Sequence, residues 1–129
     1  MLRPNITERE GSCHCGDCKK VASDSFLNRV QELRDRAGRS LRFTSMVRCP
    51  GHNEEIGGAE DSAHLESAKP GPYGAVDTAT TDPALRFELF VIAWQLGFNH
   101  YEICDKHIHL GFLPAGHRLK NVINWGKSR

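Results

Sequence analysis

The chain has 129 residues and a net charge of +1, which suits one domain with a modest core. The balanced charge and the lack of a dense Lys/Arg block argue against a nucleic-acid partner. No run approaches the ~20 apolar residues of a transmembrane helix, and no apolar signal-peptide region follows Met1. We therefore expect no membrane partner and a protein made in the cytoplasm. Residues 1–12 predict a polar N-terminal arm, and residues 13–129 a single domain.

The order of apolar and polar residues predicts two main helices. The first runs from about Ser23 to Ala37, with one apolar and one polar face, and Gly38 ends it. The second begins at Asp82-Pro83, where Asp suits the N-cap and Pro suits the first helical position. It runs to about Leu96 and is apolar on nearly every side, which predicts a central place in the fold.

Short strands are predicted between and after these helices. Period-two alternation or β-like composition marks four stretches, residues 41–46, 100–103, 107–112 and 122–125. Residues 50–82 are rich in Gly, Ala, Asp, Pro and Ser and predict a long functional loop. The expected fold class is α+β, with a small antiparallel sheet packed with two main helices.

The cysteines leave two interpretations open. Cys13, Cys15 and Cys18 form a Cys-rich turn, and five cysteines cannot all pair with one another. The turn could hold one disulfide or free thiols in a reducing cell. It could also be a small structural zinc site, with Cys49 as the fourth ligand.

Histidine and acidic residues in three separate stretches suggest a second kind of metal site. His64 closes the stretch 57–64, Asp77 follows it, and His109 shares one face of a predicted strand with His107. A catalytic zinc ion takes three protein ligands from imidazole and carboxylate groups and leaves a fourth position to water. His64, Asp77 and His109 could supply those three ligands, so the expected cofactor is zinc.

Eight pieces, in order along nearly the whole chain, together resemble one family. They are the Cys-rich turn at 13–18, TSMVRCPGHN at 44–53, IGGA at 56–59, SAH at 62–64, GAVD at 74–77, GFN at 97–99, IH at 108–109 and NVINW at 121–125. The set resembles the D-alanyl-D-alanine carboxypeptidase and L-alanyl-D-glutamate endopeptidase group of zinc peptidases, above all its short phage and bacterial members. The sonic hedgehog signalling domain shares the fold of that group.

The resemblance implies roles for five residues. His64, Asp77 and His109 would bind zinc. Arg48 matches the arginine of the family's Ser-Gly-Tyr-Arg segment, which contacts the substrate peptide, and Ser62 would orient the substrate or the ligand loop. The structural alternatives are a surface salt bridge for Arg48 and a turn-capping role for Ser62.

The sequence departs from the family pattern at three places. The family usually places the Asp ligand closer to the first His, whereas thirteen positions separate His64 from Asp77 here. A Pro- and Gly-rich insertion at 66–73 accounts for the difference, and it can bulge outward and leave the ligands in place. Met46-Val47 replaces Gly-Tyr before the arginine, which changes the pocket wall. Gly111 stands where many relatives have Asp.

Hydrolysis at zinc also needs a carboxylate that takes a proton from water and passes it to the leaving amine. Glu102 and Asp105 both precede His109. Glu102 is favoured because Tyr-Glu followed by His-Ile-His resembles the hedgehog-like arrangement; the structural alternative for both is a solvated turn carboxylate. His107 would stabilise the oxyanion or bond to the substrate, or else orient a ligand.

The remaining histidines and the two tryptophans that we consider are expected to have structural rather than functional roles. His52, His100 and His117 are expected at the surface or in loops, and Trp94 and Trp125 in the core.

Two classes of function follow. The first is an enzyme, a zinc peptidase that cuts peptidoglycan stem peptides as a carboxypeptidase or an endopeptidase. It would be a monomer that degrades or remodels cell wall, for example a phage endolysin that acts after release. The alternative is a non-catalytic, zinc-containing binding module of the same fold.

Overall fold

The computed structural model describes residues 1–125, which form an α+β fold around one five-stranded sheet. The elements in chain order are α1 (Asp24–Ala37), β1 (Phe43–Ser45), α2 (Pro50–Glu55), a 3₁₀-helix (Ala63–Ala68), β2 (Gly74–Ala79), α3 (Pro83–Gln95), β3 (His100–Ile103), β4 (His107–Phe112) and β5 (Val122–Trp125). The predicted fold class, with two main helices, is confirmed. Within the described residues, no helix is long and apolar enough to cross a membrane.

Local capping sets the bounds of the two main helices. The Ser23 side chain accepts a hydrogen bond from the backbone N–H of Phe26, and α1 ends where Gly38 takes the left-handed conformation at φ 65°. The Asp82 side chain accepts from the N–H of Ala84, with Pro83 at the start of α3. Both predicted helices are confirmed to within one residue at each end.

The sheet has the strand order β1-β2-β4-β3-β5. The pairings β1–β2, β2–β4 and β3–β4 are antiparallel, as predicted, whereas β5 pairs in parallel with β3. The predicted strands at 100–103, 107–112 and 122–125 are present, and the strand predicted at 41–46 is shorter.

The prediction of one long loop over residues 50–82 is wrong. This segment contains α2, the 3₁₀-helix and β2, and β2 lies inside the sheet between β1 and β4. Five of the six residues of β2 are buried, so its sequence shows no apolar–polar alternation. Its small side chains, in Gly74-Ala75-Val76-Asp77-Thr78-Ala79, also resemble loop composition.

One face of the sheet packs against α1 and α3 and forms the core. The buried residues of this cluster include Phe26, Leu33, Val76, Leu89, Tyr101, Ile108 and Leu110. The expectation of a central place for α3 is wrong, because Phe87 and Trp94 are 71% and 63% exposed. Trp125 is 68% exposed as well, so neither tryptophan is a core residue.

The N-terminal arm lies against α1. The guanidinium of Arg3 donates to the Asn28 side chain at 2.8 Å and pairs with Asp24 at 3.2 Å. Ile6 is fully buried in the core cluster. Contacts with the helix therefore hold residues 1–12 in place.

The 66–73 insertion bulges outward, as expected. Its tip, residues 69–71, is exposed, and its two ends are anchored. The Ser23 hydroxyl donates to the carbonyl of Gly71, and the ring of Tyr73 stacks on Phe112 with centroids 5.3 Å apart. The chain therefore returns to β2 after the bulge.

Candidate metal centre and active site

The sheet face opposite the core carries a cluster of polar side chains on its three central strands. In register, Asp77 of β2 lies opposite His109 of β4, and His109 lies opposite Glu102 of β3. Directly paired residues of antiparallel strands share a face, as do residues two positions apart on one strand. His107 and His100 therefore lie on the same face as this row.

His64 reaches the cluster from the 3₁₀-helix. Ser62 caps this helix by accepting a hydrogen bond from the N–H of His64. The His64 ring donates from Nδ1 to the carbonyl oxygen of Met46 at 3.0 Å, since a carbonyl can only accept. This bond fixes the proton on Nδ1 and leaves the lone pair of Nε2 directed at Asp77, whose Oδ2 is 3.2 Å away.

Asp77 and His109 form a buried pair, with His109 Nδ1 2.8 Å from Asp77 Oδ1. Burial would raise the pKa of Asp77, but the neighbouring His64 ring and the hydrogen bond from His109 hold that pKa well below its usual value. Burial lowers the pKa of His109, and the opposing effect of Asp77 is smaller. At neutral pH the carboxyl is therefore ionised and the imidazole neutral, which are the forms that bind a metal.

These three residues fit a zinc ion. One donor atom from each of His64, Asp77 and His109 lies within 4.8 Å of the others. The buried Nε2 of His64 has no hydrogen-bond partner within the described residues, and a buried polar atom normally has one. Two imidazoles with one carboxylate match the three-ligand sets of catalytic zinc.

His100 belongs to the site, against the expectation of a surface or loop position. It is 1% exposed, and its Nδ1 lies 3.2 Å from Nε2 of His109. A Cβ atom added at Gly111 would lie 3.1 Å from the ring of His100, so the glycine makes room for this ring. The alternation of side chains along β3 could have predicted this position, because His100 lies two positions before Glu102 and so shares its face of the sheet.

The structure separates the two candidate bases. Glu102 is 5% exposed and lines the cavity beside the cluster, with Oε2 3.6 Å from Nε2 of His100. Asp105 lies in the exposed turn between β3 and β4, and it does not line the cavity. Its backbone carbonyl accepts a hydrogen bond from Arg86. His107 lines the cavity, with Nε2 3.9 Å from Oδ2 of Asp77.

The cavity above the cluster has a volume of about 520 Å³ and brings both predicted substrate residues to its wall. Arg48 Nη1 lies 3.4 Å from the Ser62 hydroxyl and 3.4 Å from the Asn53 side-chain oxygen. Ser62 thus both caps the 3₁₀-helix that carries His64 and lines the cavity. Leu119, from the segment between β4 and β5, completes the wall and was not predicted.

Comparison with known proteins identifies the family. The family model described as Peptidase M15 matches residues 4–111. This range is most of the chain and holds the polar residues of the cavity. No curated protein and no solved structure matches the chain. The resemblance seen in the sequence is confirmed, and the chain belongs to the peptidase M15 family of zinc metallopeptidases.

Proposed function

We propose that this protein is a zinc-dependent peptidase that hydrolyses a bond in peptidoglycan stem peptides, as a carboxypeptidase or an endopeptidase. The convergence of His64, Asp77 and His109 on the floor of an open cavity is the observation that carries the proposal. The M15 family membership supports the peptidase chemistry. The peptidoglycan substrate rests on the sequence resemblance described above.

Zinc held by His64, Asp77 and His109 would polarise the scissile carbonyl and activate a water molecule. Glu102 would accept the proton of the attacking water and pass it to the leaving amine, since it is the candidate carboxylate that lies on the cavity wall. His107 would donate a hydrogen bond to the carbonyl oxygen as negative charge develops there.

Arg48 and Ser62 would position the peptide. A guanidinium binds a carboxylate through two parallel hydrogen bonds, and stem peptides present free carboxylates. The cavity volume of about 520 Å³ lies within the range of small-ligand sites, so a few residues of a peptide would fit. We expect the protein to act as a monomer, without a nucleic-acid or membrane partner, on cell wall that it reaches after release.

Purified peptidoglycan of several chemical types is the test substrate. The zinc-loaded protein should release soluble fragments, and their masses should identify the bond that is cut. His64→Ala should lose the zinc ion of this site and the activity, because it removes a ligand. If zinc is bound in equal ratio by the parent and by His64→Ala, the assigned ligand set is wrong.

Glu102→Gln tests the proton carrier separately from metal binding. We expect this variant to keep zinc and to lose about 10²- to 10⁴-fold in the rate of hydrolysis, the usual contribution of a positioned acid–base group. Asp105→Asn is the matched control and should digest wall at the parent rate. A Glu102→Gln variant as active as the parent would show that the proton goes elsewhere.

One observation favours the alternative, a non-catalytic zinc-containing binding module. The carboxylate of Glu102 lies 3.6 Å from a nitrogen of the buried His100, which can hold it away from a water molecule. In that case the parent would bind zinc and peptidoglycan fragments, yet cleave neither whole wall nor peptides ending in D-alanyl-D-alanine.

A further inference from the structure

Four cysteine sulfurs converge on one point beside the N-terminal arm, outside the cavity. The Sγ atoms of Cys13, Cys15, Cys18 and Cys49 all lie within 4.8 Å of one another. The Cys15 sulfur is 3.4 Å from that of Cys18 and 3.9 Å from that of Cys49. We call these four residues the thiol cluster. Cys49 is separated from Cys18 by the whole of α1 and β1, so the fold itself makes the cluster.

Backbone N–H groups point at every sulfur of the thiol cluster. Cys13 accepts from the N–H of Cys49, Cys15 from those of Asp17 and Cys18, Cys18 from that of Lys20, and Cys49 from that of His52, each at 3.4 Å. A thiol is a weak acceptor, whereas a thiolate is a strong one. The donors are therefore arranged for negatively charged sulfurs.

The backbone around the cluster adopts turns that wrap the chain around one point. Gly16 has φ 80° and Lys19 has φ 55°, and the second value is unusual for a residue with a side chain. A β-bridge between Cys13 and Val47 holds the turn beside the segment that bears Cys49. His14 turns away, and its ring bonds to the carbonyl of Arg9 at 2.9 Å.

These distances fit a metal better than disulfides or plain packing. Sulfurs bound tetrahedrally to zinc at ~2.3 Å lie about 3.8 Å apart, and the Cys15–Cys18 and Cys15–Cys49 separations bracket that value. A disulfide needs an S–S distance of ~2.0 Å, and none of the five cysteines is paired. Packing of thiols as small apolar groups gives no reason for five converging N–H donors.

We propose that the thiol cluster holds a second zinc ion, which is structural rather than catalytic. All four ligand positions would be filled by protein sulfurs, so no position is left for water. Binding would release the four thiol protons to solvent without any change of oxidation state. The exposed Lys19 and Lys20, next to Cys18 in the chain, lie near the resulting negative charge.

This ion would connect the N-terminal segment to the wall of the cavity. Cys49 is the N-cap of α2, and its neighbour Arg48 lines the cavity. The backbone N–H of Arg48 also bonds to the carbonyl of His64 at 3.2 Å. The thiol cluster would therefore fix the backbone that carries Arg48, without contact with the substrate.

Zinc content in a variant that lacks the first site tests the proposal. The full chain with His64→Ala and His109→Ala is purified under thiol reductant, without a metal-binding tag, and should hold one zinc ion per chain. Adding Cys15→Ser and Cys18→Ser should reduce the zinc content at least tenfold. Cys104→Ser is the matched control, because Cys104 lies outside the cluster, and it should leave the ratio unchanged.

Cobalt substitution in the parent provides a measurement that needs no cysteine variant to fold. Cobalt in the thiol cluster should give intense thiolate-to-cobalt charge-transfer absorption, which imidazole and carboxylate ligands do not produce. The proposal is overturned if the double-histidine variant binds no zinc under reductant, if it binds iron instead, or if the parent's intact mass shows disulfides.

The same measurements separate this proposal from the proposed function. One zinc in the parent and none in the double-histidine variant would overturn the second site alone. One zinc in both proteins would support the thiol cluster and contradict the metal site at the floor of the cavity.

Discussion

At position 111 a single methyl group would change what His109 can contact. The ring of His100 occupies the space above Gly111 and bonds to Nε2 of His109, which would orient that imidazole if it binds metal. Gly111, which stands where many relatives have Asp, thus leaves the space that the unexpectedly buried His100 ring occupies.

Gly111→Ala should therefore destabilise the protein by about 1–3 kcal/mol through overpacking against His100. Urea unfolding of the metal-free protein measures the effect. In the His100→Ala background the same substitution should cost less, with a coupling energy of about 0.5–3 kcal/mol for residues in contact. If the two changes are additive, the close contact between these residues does not matter for stability.

Acid should weaken the metal-free protein through the Asp77–His109 pair. The pKa of His109 is below its ordinary 6.5 in the folded state, so below that pH the unfolded chain takes up the proton first. The pKa of Asp77 in the folded state is well below 3.8, its ordinary value. A further loss of stability therefore begins as the pH falls to about that ordinary value, where the unfolded chain takes up the proton first. Each extra proton on the unfolded chain lowers the free energy of unfolding by up to about 1.4 kcal/mol per pH unit.

Urea titrations of metal-free protein at about pH 7 and about pH 5 measure the first of these losses. The parent should lose more stability over this interval than His109→Gln does. His52 lies on α2, outside the cavity, so His52→Gln should lose as much stability over this pH interval as the parent. A parent whose stability rises on acidification would contradict the assigned ionisation of the pair.

Among the secondary-structure elements, helix bounds could be predicted well and one strand could not. Ser23, Gly38, Asp82 and Pro83 act through contacts within a few residues, so the local sequence contains the information that sets the helix ends. β2 depends on strands far along the chain for its pairing, and its buried small residues give no period-two signal. The sequence therefore predicts a loop where the structure has the strand that carries Asp77.

The sequence also does not show which side of α3 faces the core, because the helix carries apolar residues on nearly every side. Phe87 and Trp94 are mostly exposed, whereas Leu89 is fully buried. Leu89→Ala should cost about 2–5 kcal/mol in the free energy of unfolding. Phe87→Ala should change it by no more than about 0.5 kcal/mol. Equal losses in a denaturant titration would mean that α3 is buried on both sides.

For the molecule as a whole, the sequence predicted which candidate ligands the fold brings together better than it predicted the residues around them. His64, Asp77 and His109 were found from residue type, strand parity and family resemblance, and the structure brings them together. Which carboxylate lines the cavity depends on the β3–β4 turn. The convergence of Cys49 on the Cys-rich turn was one of two open interpretations, and it depends on the long-range bridge between Cys13 and Val47.

Removing metal should lower the stability of the whole chain in two separable parts. Free zinc at about 100 times the dissociation constant stabilises a protein by about 2.7 kcal/mol for each site present only in the folded state. Reloading the chelated parent should therefore raise its free energy of unfolding by about twice as much as reloading either single-site variant. A gain independent of the substitutions would show that zinc acts at neither site.

The segment between β4 and β5 can influence substrate selectivity, because it contributes to the cavity wall. Leu119 forms part of the cavity wall, and its neighbour Arg118 pairs with Asp61, which directly precedes Ser62 of the wall, with Nε and Oδ2 2.5 Å apart. This segment lies beyond the end of the family match at residue 111. Exchanging residues 113–121 between homologues should therefore change which peptides the cavity accepts and leave the candidate catalytic residues unaltered. Substrate preference could then evolve separately from the hydrolytic step.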